Sequence, residues 1–162
     1  MDTENKPPFV LVVDDNADAI FLLRRLLLKA GIGEPIEQSP DGDAAVEFIS
    51  KRIKAGRDGL PLFVLLDVKM PKRDGFEVLE WIRRQPELRD MVVIMISSSA
   101  EEKDVKRAYE LGADCYLIKN PDSSAFAHVY AVAMEIRSRK AGRGELASAL
   151  SRDSVKTGSK PR

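Results

Sequence analysis

Residues 62–66, Leu-Phe-Val-Leu-Leu, are apolar at every position and stop at a carboxylate, Asp67. A strand with one wet face alternates apolar and polar residues, so this unbroken segment points to a strand covered on both faces, as in a parallel sheet layered between helices. Pro71 and the Asp74-Gly75 pair are turn signals that end the strand and open a helix. Taken alone, Asp67 is better explained as a helix cap or turn residue than as a chemical group.

The same pattern recurs along the chain. Phe9 to Val13 is a second apolar segment, ending in Asp14 and Asp15. Ile20, Leu23 and Leu27 then recur at helical spacing between Asp18 and Ala30, with Gly31 as the stop signal. Glu34 to Ser39 is a weak strand candidate, followed by a Pro40-Asp41-Gly42 turn and a helix through Ala44, Ala45, Phe48, Ile49 and Ile53. A polar loop from Lys54 to Pro61 leads to the central strand. Beyond it Phe76, Val78, Leu79 and Ile82 mark a helix that stops before Pro86, because the residue preceding proline resists helical geometry. Trp81 is expected to pack on this helix. Met91 to Ile96 ends in Ser97, Ser98 and Ser99; a more polar helix from Glu101 to Leu111 ends at Gly112; Cys115 to Ile118 ends in Lys119; a last helix runs from Ser123 to Arg139. Five strands alternating with five helices specify a parallel α/β sheet with right-handed crossovers.

A length of 162 residues allows one domain with a proper core. We expect an N-terminal extension at 1–8, the folded domain at 9–140 and a basic tail at 141–162. Lys plus Arg and Asp plus Glu both number 26, so the overall charge gives no sign of nucleic-acid binding. From Arg137 onward eight basic residues face Glu145 and Asp153, which leaves that end at +6 and the remainder at −6. The tail suggests a solvated segment, with a short helix possible around Glu145 to Leu150. One cysteine, Cys115, excludes a disulfide framework and reads as core packing. The apolar segments are too short to span a bilayer and the N-terminus lacks a secretion pattern, so a cytoplasmic protein is expected.

Ligands of open α/β sheets bind outside the carboxyl ends of the strands, where this chain gathers Asp14, Asp15, Asp67, Ser97 and Lys119. Three crowded carboxylates repel one another, and a hard divalent cation, Mg2+ by preference, relieves this. The lysine and serine suit a tetrahedral anion. A carboxylate can itself attack phosphorus, giving an aspartyl phosphate.

At the motifs VVDD, LLDVKMPKRDG, ISSS and YLIK, in that order at strand ends, the chain resembles the receiver domain of two-component response regulators over roughly Pro8 to Arg139. The resemblance implies a flavodoxin-like sheet of order 2-1-3-4-5. It implies Asp67 as phosphoacceptor, Asp15 as a direct Mg2+ ligand, Asp14 as a ligand through water, and the Lys69 carbonyl as a further ligand. It implies Ser97 as the switch hydroxyl, Lys119 as the phosphate-contacting lysine, and Tyr116 as the aromatic switch. Lys69 and Ser99 stand at positions that tune hydrolysis in the family. Where the family usually has Pro directly after the lysine, this chain has Asn120 and then Pro121. That ending, and the long segment before the central strand, resemble the single-domain receivers that partner bacterial phytochrome-type sensor kinases.

The resemblance implies phosphorylation by a sensor histidine kinase or phosphotransfer protein, and output through a protein surface, since the stretch after Arg139 is too short for a DNA-binding domain. Phosphorylation would draw Ser97 toward the phosphate and let Tyr116 turn inward, altering the face of the fourth helix, fifth strand and fifth helix toward a downstream target or a second copy. Tyr130 and Met134 form a second apolar strip on the last helix, read equally as dimer surface or core contact. His128 reads as a surface or packing residue. The competing classes are a phosphorylation-independent adaptor and an aspartate-nucleophile phosphohydrolase. The hydrolases carry a second Asp two positions after the nucleophile, where this chain has Lys69, so the expectation is a phosphoacceptor and not a turnover enzyme.

Overall fold

The structure, a computed structural model, describes residues 8–33, 35–56, 59–119 and 121–139. The first seven residues, Glu34, Asn120, and the tail with its candidate helix lie outside the described residues. In chain order the elements are β1 (Val10–Val13), α1 (Ala17–Lys29), β2 (Ile36–Ser39), α2 (Gly42–Ile53), β3 (Phe63–Asp67), α3 (Gly75–Arg84), β4 (Val92–Ser97), α4 (Glu102–Glu110), β5 (Cys115–Ile118) and α5 (Ser123–Arg139). The five strands form one parallel sheet of order β2-β1-β3-β4-β5, as expected.

Alternate strand residues face opposite helical layers. Val10, Val12, Leu65, Ile94, Ile96 and Leu117 pack with Ile20, Leu23 and Leu27 of α1 and Phe126, Val129 and Ala133 of α5. Leu11, Val13, Val64, Leu66, Val93 and Met95 pack with residues of α2, α3 and α4. Every residue of β3 is therefore buried, which accounts for its unbroken apolar sequence. β2 lies at the sheet edge with Glu37 and Gln38 exposed, which is why its sequence signal is weak. Pro86–Leu88 form a single 3-10 turn that the periodicity did not reveal, being too short to show a repeat.

The helices that follow β1, β2 and β3 each open on a side chain that accepts backbone N–H groups: Asn16 from Asp18 and Ala19, Asp41 from Ala44, and Asp74 from Glu77. These caps fix the chain where it leaves β1, β2 and β3. Gly75 begins α3 directly against the end of β3; a β-carbon there would overlap the Asp67 carbonyl oxygen. Cys115 is fully buried and burial pushes its thiol up to about 12, in keeping with a packing role. Trp81 packs partly buried against the α2–α3–α4 core, while Tyr130 and Met134 pack against the α1–α5 core. The strip on α5 thus makes core contact on its inner side. Among the described residues no helix is long and apolar enough to cross a membrane.

Candidate functional site

Parallel pairing brings the carboxyl ends of β1, β3, β4 and β5 to one edge. Val13 pairs with Leu66, so Asp14 lies level with Asp67. Asp67 pairs with Ile96, and Ser97 is the next residue. Lys119 donates its backbone N–H to the Ser97 carbonyl at 2.8 Å, which carries its side chain to the same edge. Asp14, Asp67 and Ser97 are buried and Asp15 is exposed. One carboxylate oxygen from each of Asp14, Asp15 and Asp67 lies within 4.8 Å of the others. The Lys119 Nζ sits 3.5 Å from Asp14 Oδ2 and 3.6 Å from Asp67 Oδ1.

Burial pushes the Asp67 carboxyl up to about 6, with repulsion from Asp14 adding, attraction by Lys119 opposing and Asp15 adding further. Asp14 Oδ1 accepts the Asn16 N–H at 2.9 Å, but its Oδ2 is buried without a hydrogen bond, 3.5 Å from the Lys119 Nζ. An orphaned carboxylate oxygen beside two more carboxylates fits a hard divalent cation, which takes oxygen ligands and offsets the repulsion. Asp14, Asp15, Asp67 and the Lys69 carbonyl are the groups available to hold it. Lys69 itself is exposed and lines a cleft beside the carboxylates with Asp15, Asp74, Phe76, Asp104 and Arg107.

Ser99 lies in the loop after β4. Its N–H donates to Ser97 Oγ at 3.0 Å, its Oγ donates to Asp104 Oδ2 at 2.9 Å, and its carbonyl accepts the Tyr116 hydroxyl at 2.8 Å. Tyr116 is fully buried, so the ring already occupies the interior position that the sequence reading reserved for the phosphorylated form. Its bond to the Ser99 carbonyl provides the reason. Ser99→Ala removes the bond to Asp104 and the acceptor for the Glu101 N–H. We expect a loss of about 1 kcal/mol in urea unfolding; an unchanged midpoint would mean that the hydroxyl does not hold the loop.

The sequence reading missed an exposed apolar face on α1, where Phe21, Leu22 and Leu28 are 59%, 48% and 58% exposed. Leu22 and Leu26 form a groove with Pro121, flanked by Arg25 and Lys29. The signal was available: Phe21-Leu22-Leu23 and Leu26-Leu27-Leu28 carry apolar residues around more of the helix than one buried face can take.

A family model described as response regulator receiver domain matches residues 10–130. The probable methanogenesis regulatory protein FilR2 of Methanothrix harundinacea is 38% identical over 117 residues, covering 72% of this chain and 75% of that protein. Response regulator Rcp1 of Synechocystis sp. is 34% identical over 74% of this chain and 81% of its own length. A crystal structure of the Mn2+-bound form of response regulator Rcp1 is matched over 96% of this chain and all of that one, with a TM-score of 0.62 and 26% identity. The bacteriophytochrome response regulator AtBRR is 31% identical with a TM-score of 0.63, covering 81% of this chain and 92% of that one.

Proposed function

This chain belongs to the response regulator receiver family, and from that premise we propose that Asp67 accepts a phosphoryl group from a histidine kinase or phosphotransfer protein in the cytoplasm. The observation that carries the reading is the Lys119 ammonium set within 3.6 Å of Asp67 and 3.5 Å of Asp14, beside three converging carboxylates. At neutral pH a carboxyl with a value of about 6 is mostly ionised and can attack. An Asp67 carboxylate oxygen forms a bond to phosphorus as the bond from phosphorus to the donor imidazole nitrogen breaks. That nitrogen keeps the electron pair and takes a proton from water. Lys119 donates hydrogen bonds to the transferring oxygens. A bound divalent cation supplies positive charge against the oxygens of the group in flight.

Signalling follows from the bonds already in place. Phosphoryl oxygens draw the Ser97 hydroxyl, which accepts the Ser99 N–H, and the Ser99 carbonyl holds Tyr116. New charge-assisted bonds of about 1.5–3 kcal/mol each are enough to shift such a two-state loop. The readout is a change in the α4–β5–α5 face, where Ile118 is exposed, toward a downstream protein or a second copy. Lys69, exposed in the adjacent cleft, sets the phosphate lifetime by contact, and Ser99 sets it through the loop. Similarity to AtBRR, a bacteriophytochrome response regulator, supports a phytochrome-type kinase as the donor.

Stoichiometric Mg2+-dependent uptake of phosphoryl groups from acetyl phosphate is the test, and continuous release of phosphate without an accumulated intermediate would favour a phosphohydrolase instead. The exposed apolar face of α1 supports it as the kinase-docking surface. Leu22→Arg is expected to slow phosphotransfer from the kinase at least about ten-fold, the cost of one lost apolar anchor of ~1.4 kcal/mol, while labelling by acetyl phosphate is unchanged. Equal slowing on both routes would place the effect in the site and not in docking.

A further inference from the structure

We propose that Asp41 and Asp43, at the start of α2, are positioning residues for the cation site, acting through the loop that follows the acceptor. This rests on the reading of the carboxylate cluster as a cation site. Lys72, in that loop, has φ 64, and among the described residues no other non-glycine residue has a positive φ. A β-carbon disfavours this left-handed conformation, so surrounding contacts must hold it. Three consecutive residues do so. Lys72 Nζ lies 3.4 Å from Asp41 Oδ2, and Arg73 Nε lies 3.0 Å from Asp43 Oδ1. Between them Gly42 lets the two backbones close up, since a β-carbon there would overlap the Arg73 carbonyl oxygen.

The brace has a fixed base. Asp41 Oδ1 accepts the Ala44 N–H at 2.7 Å, which ties the carboxylate to the helix end while its other oxygen meets Lys72. On the far side Gly75 donates its N–H to the Val68 carbonyl at 2.8 Å. Lys69, whose carbonyl is the available backbone ligand, lies within this closed loop, between Val68 and Lys72. Neither Asp41 nor Asp43 belongs to the carboxylate cluster. Both ion pairs are exposed enough that solvent screens their direct contribution to stability. Their effect is on where the Lys69 carbonyl is held before a cation arrives.

The test is calorimetric titration of the full chain with Mg2+, alongside urea unfolding without it. In the double variant Asp41→Ser, Asp43→Ala, serine keeps the helix cap but is too short to reach Lys72. We expect the Mg2+ dissociation constant to rise about five-fold, the factor that corresponds to releasing one left-handed residue, with the metal-free unfolding midpoint near that of the wild type. Adding Lys72→Gly should restore the affinity, because glycine adopts the left-handed conformation without a brace. Unchanged affinity in the double variant, or a loss that Lys72→Gly does not restore, would overturn the proposal. No Mg2+ binding by the wild type, or equal binding by Asp14→Asn, would overturn the reading of the cluster itself.

Discussion

Asp114→Ala is expected to remove about 3–5 kcal/mol of unfolding free energy, the cost of stranding a buried charge. Asp114 Oδ2 meets Arg83 Nη2 at 3.0 Å and also accepts the Val93 N–H at 2.9 Å. Asp114 is buried and Arg83 largely so, with side chains 5% and 12% exposed. The same guanidinium donates from Nε to the Gly112 carbonyl at 2.9 Å and from Nη1 to the Met91 carbonyl at 2.8 Å. Four segments thus meet at one ion pair: the end of α3, the turn before β4, the start of β4 and the loop before β5. Removing the carboxylate takes the Asp114 charge away from a guanidinium set against carbonyls, and takes that acceptor from the Val93 N–H. Urea unfolding measures the loss. A change below about 1 kcal/mol, the scale of an exposed ion pair, would show that the network is solvated and not structural. A loss of 3–5 kcal/mol is a large share of the 5–15 kcal/mol typical of a domain.

The second large effect concerns Asp67. The folded value of about 6 lies above the ordinary 3.8, so the folded protein binds a proton at Asp67 more tightly than the unfolded chain does. In metal-free protein the contribution from this group is fully present below about pH 4 and is lost as the pH rises through 6. Stability should therefore increase by about 1–3 kcal/mol on going from pH 7 to pH 4 at this group alone. Asp67→Asn removes one of the converging negative charges and should raise the metal-free midpoint at pH 7. It should also abolish most of the stabilisation that Mg2+ gives the wild type. Thermal unfolding of both proteins at pH 7, with and without Mg2+, and of the metal-free wild type at pH 4 reads all three effects. A variant less stable than wild type without metal would contradict the electrostatic account.

Much of this architecture was legible because burial on both faces of β3, β4 and β1 leaves only apolar residues to write. The strand-end positions were legible for the complementary reason: Asp14, Asp67, Ser97 and Lys119 each interrupt such a segment at the point where the sheet stops. β2 was weak because an edge strand is half solvated. The Arg83–Asp114 network was not legible, since neither residue breaks a local pattern and the two come together only when the loop before β5 folds over the end of α3. The same holds for the brace from Asp41 to Lys72, whose partners are 31 residues apart. The inward position of Tyr116 was not readable either. A tyrosine in a strand reports burial, while its direction depends on the Ser99 carbonyl in a separate loop. The exposed side of α1 was in the sequence, but Ile20, Leu23 and Leu27 alone suffice to explain an amphipathic helix, so Phe21, Leu22 and Leu28 drew no separate expectation.

The proposed function turns on Asp67 accepting one phosphoryl group. Full-length protein incubated with acetyl phosphate and Mg2+, then cleaved and mapped by mass spectrometry, should carry a single acid-stable, base-labile phosphoryl group on the peptide that contains Asp67. Chelation of Mg2+ should prevent it, and Asp67→Asn should lack it. A phosphoryl group mapped to another residue, or undiminished labelling of Asp67→Asn, would contradict the account.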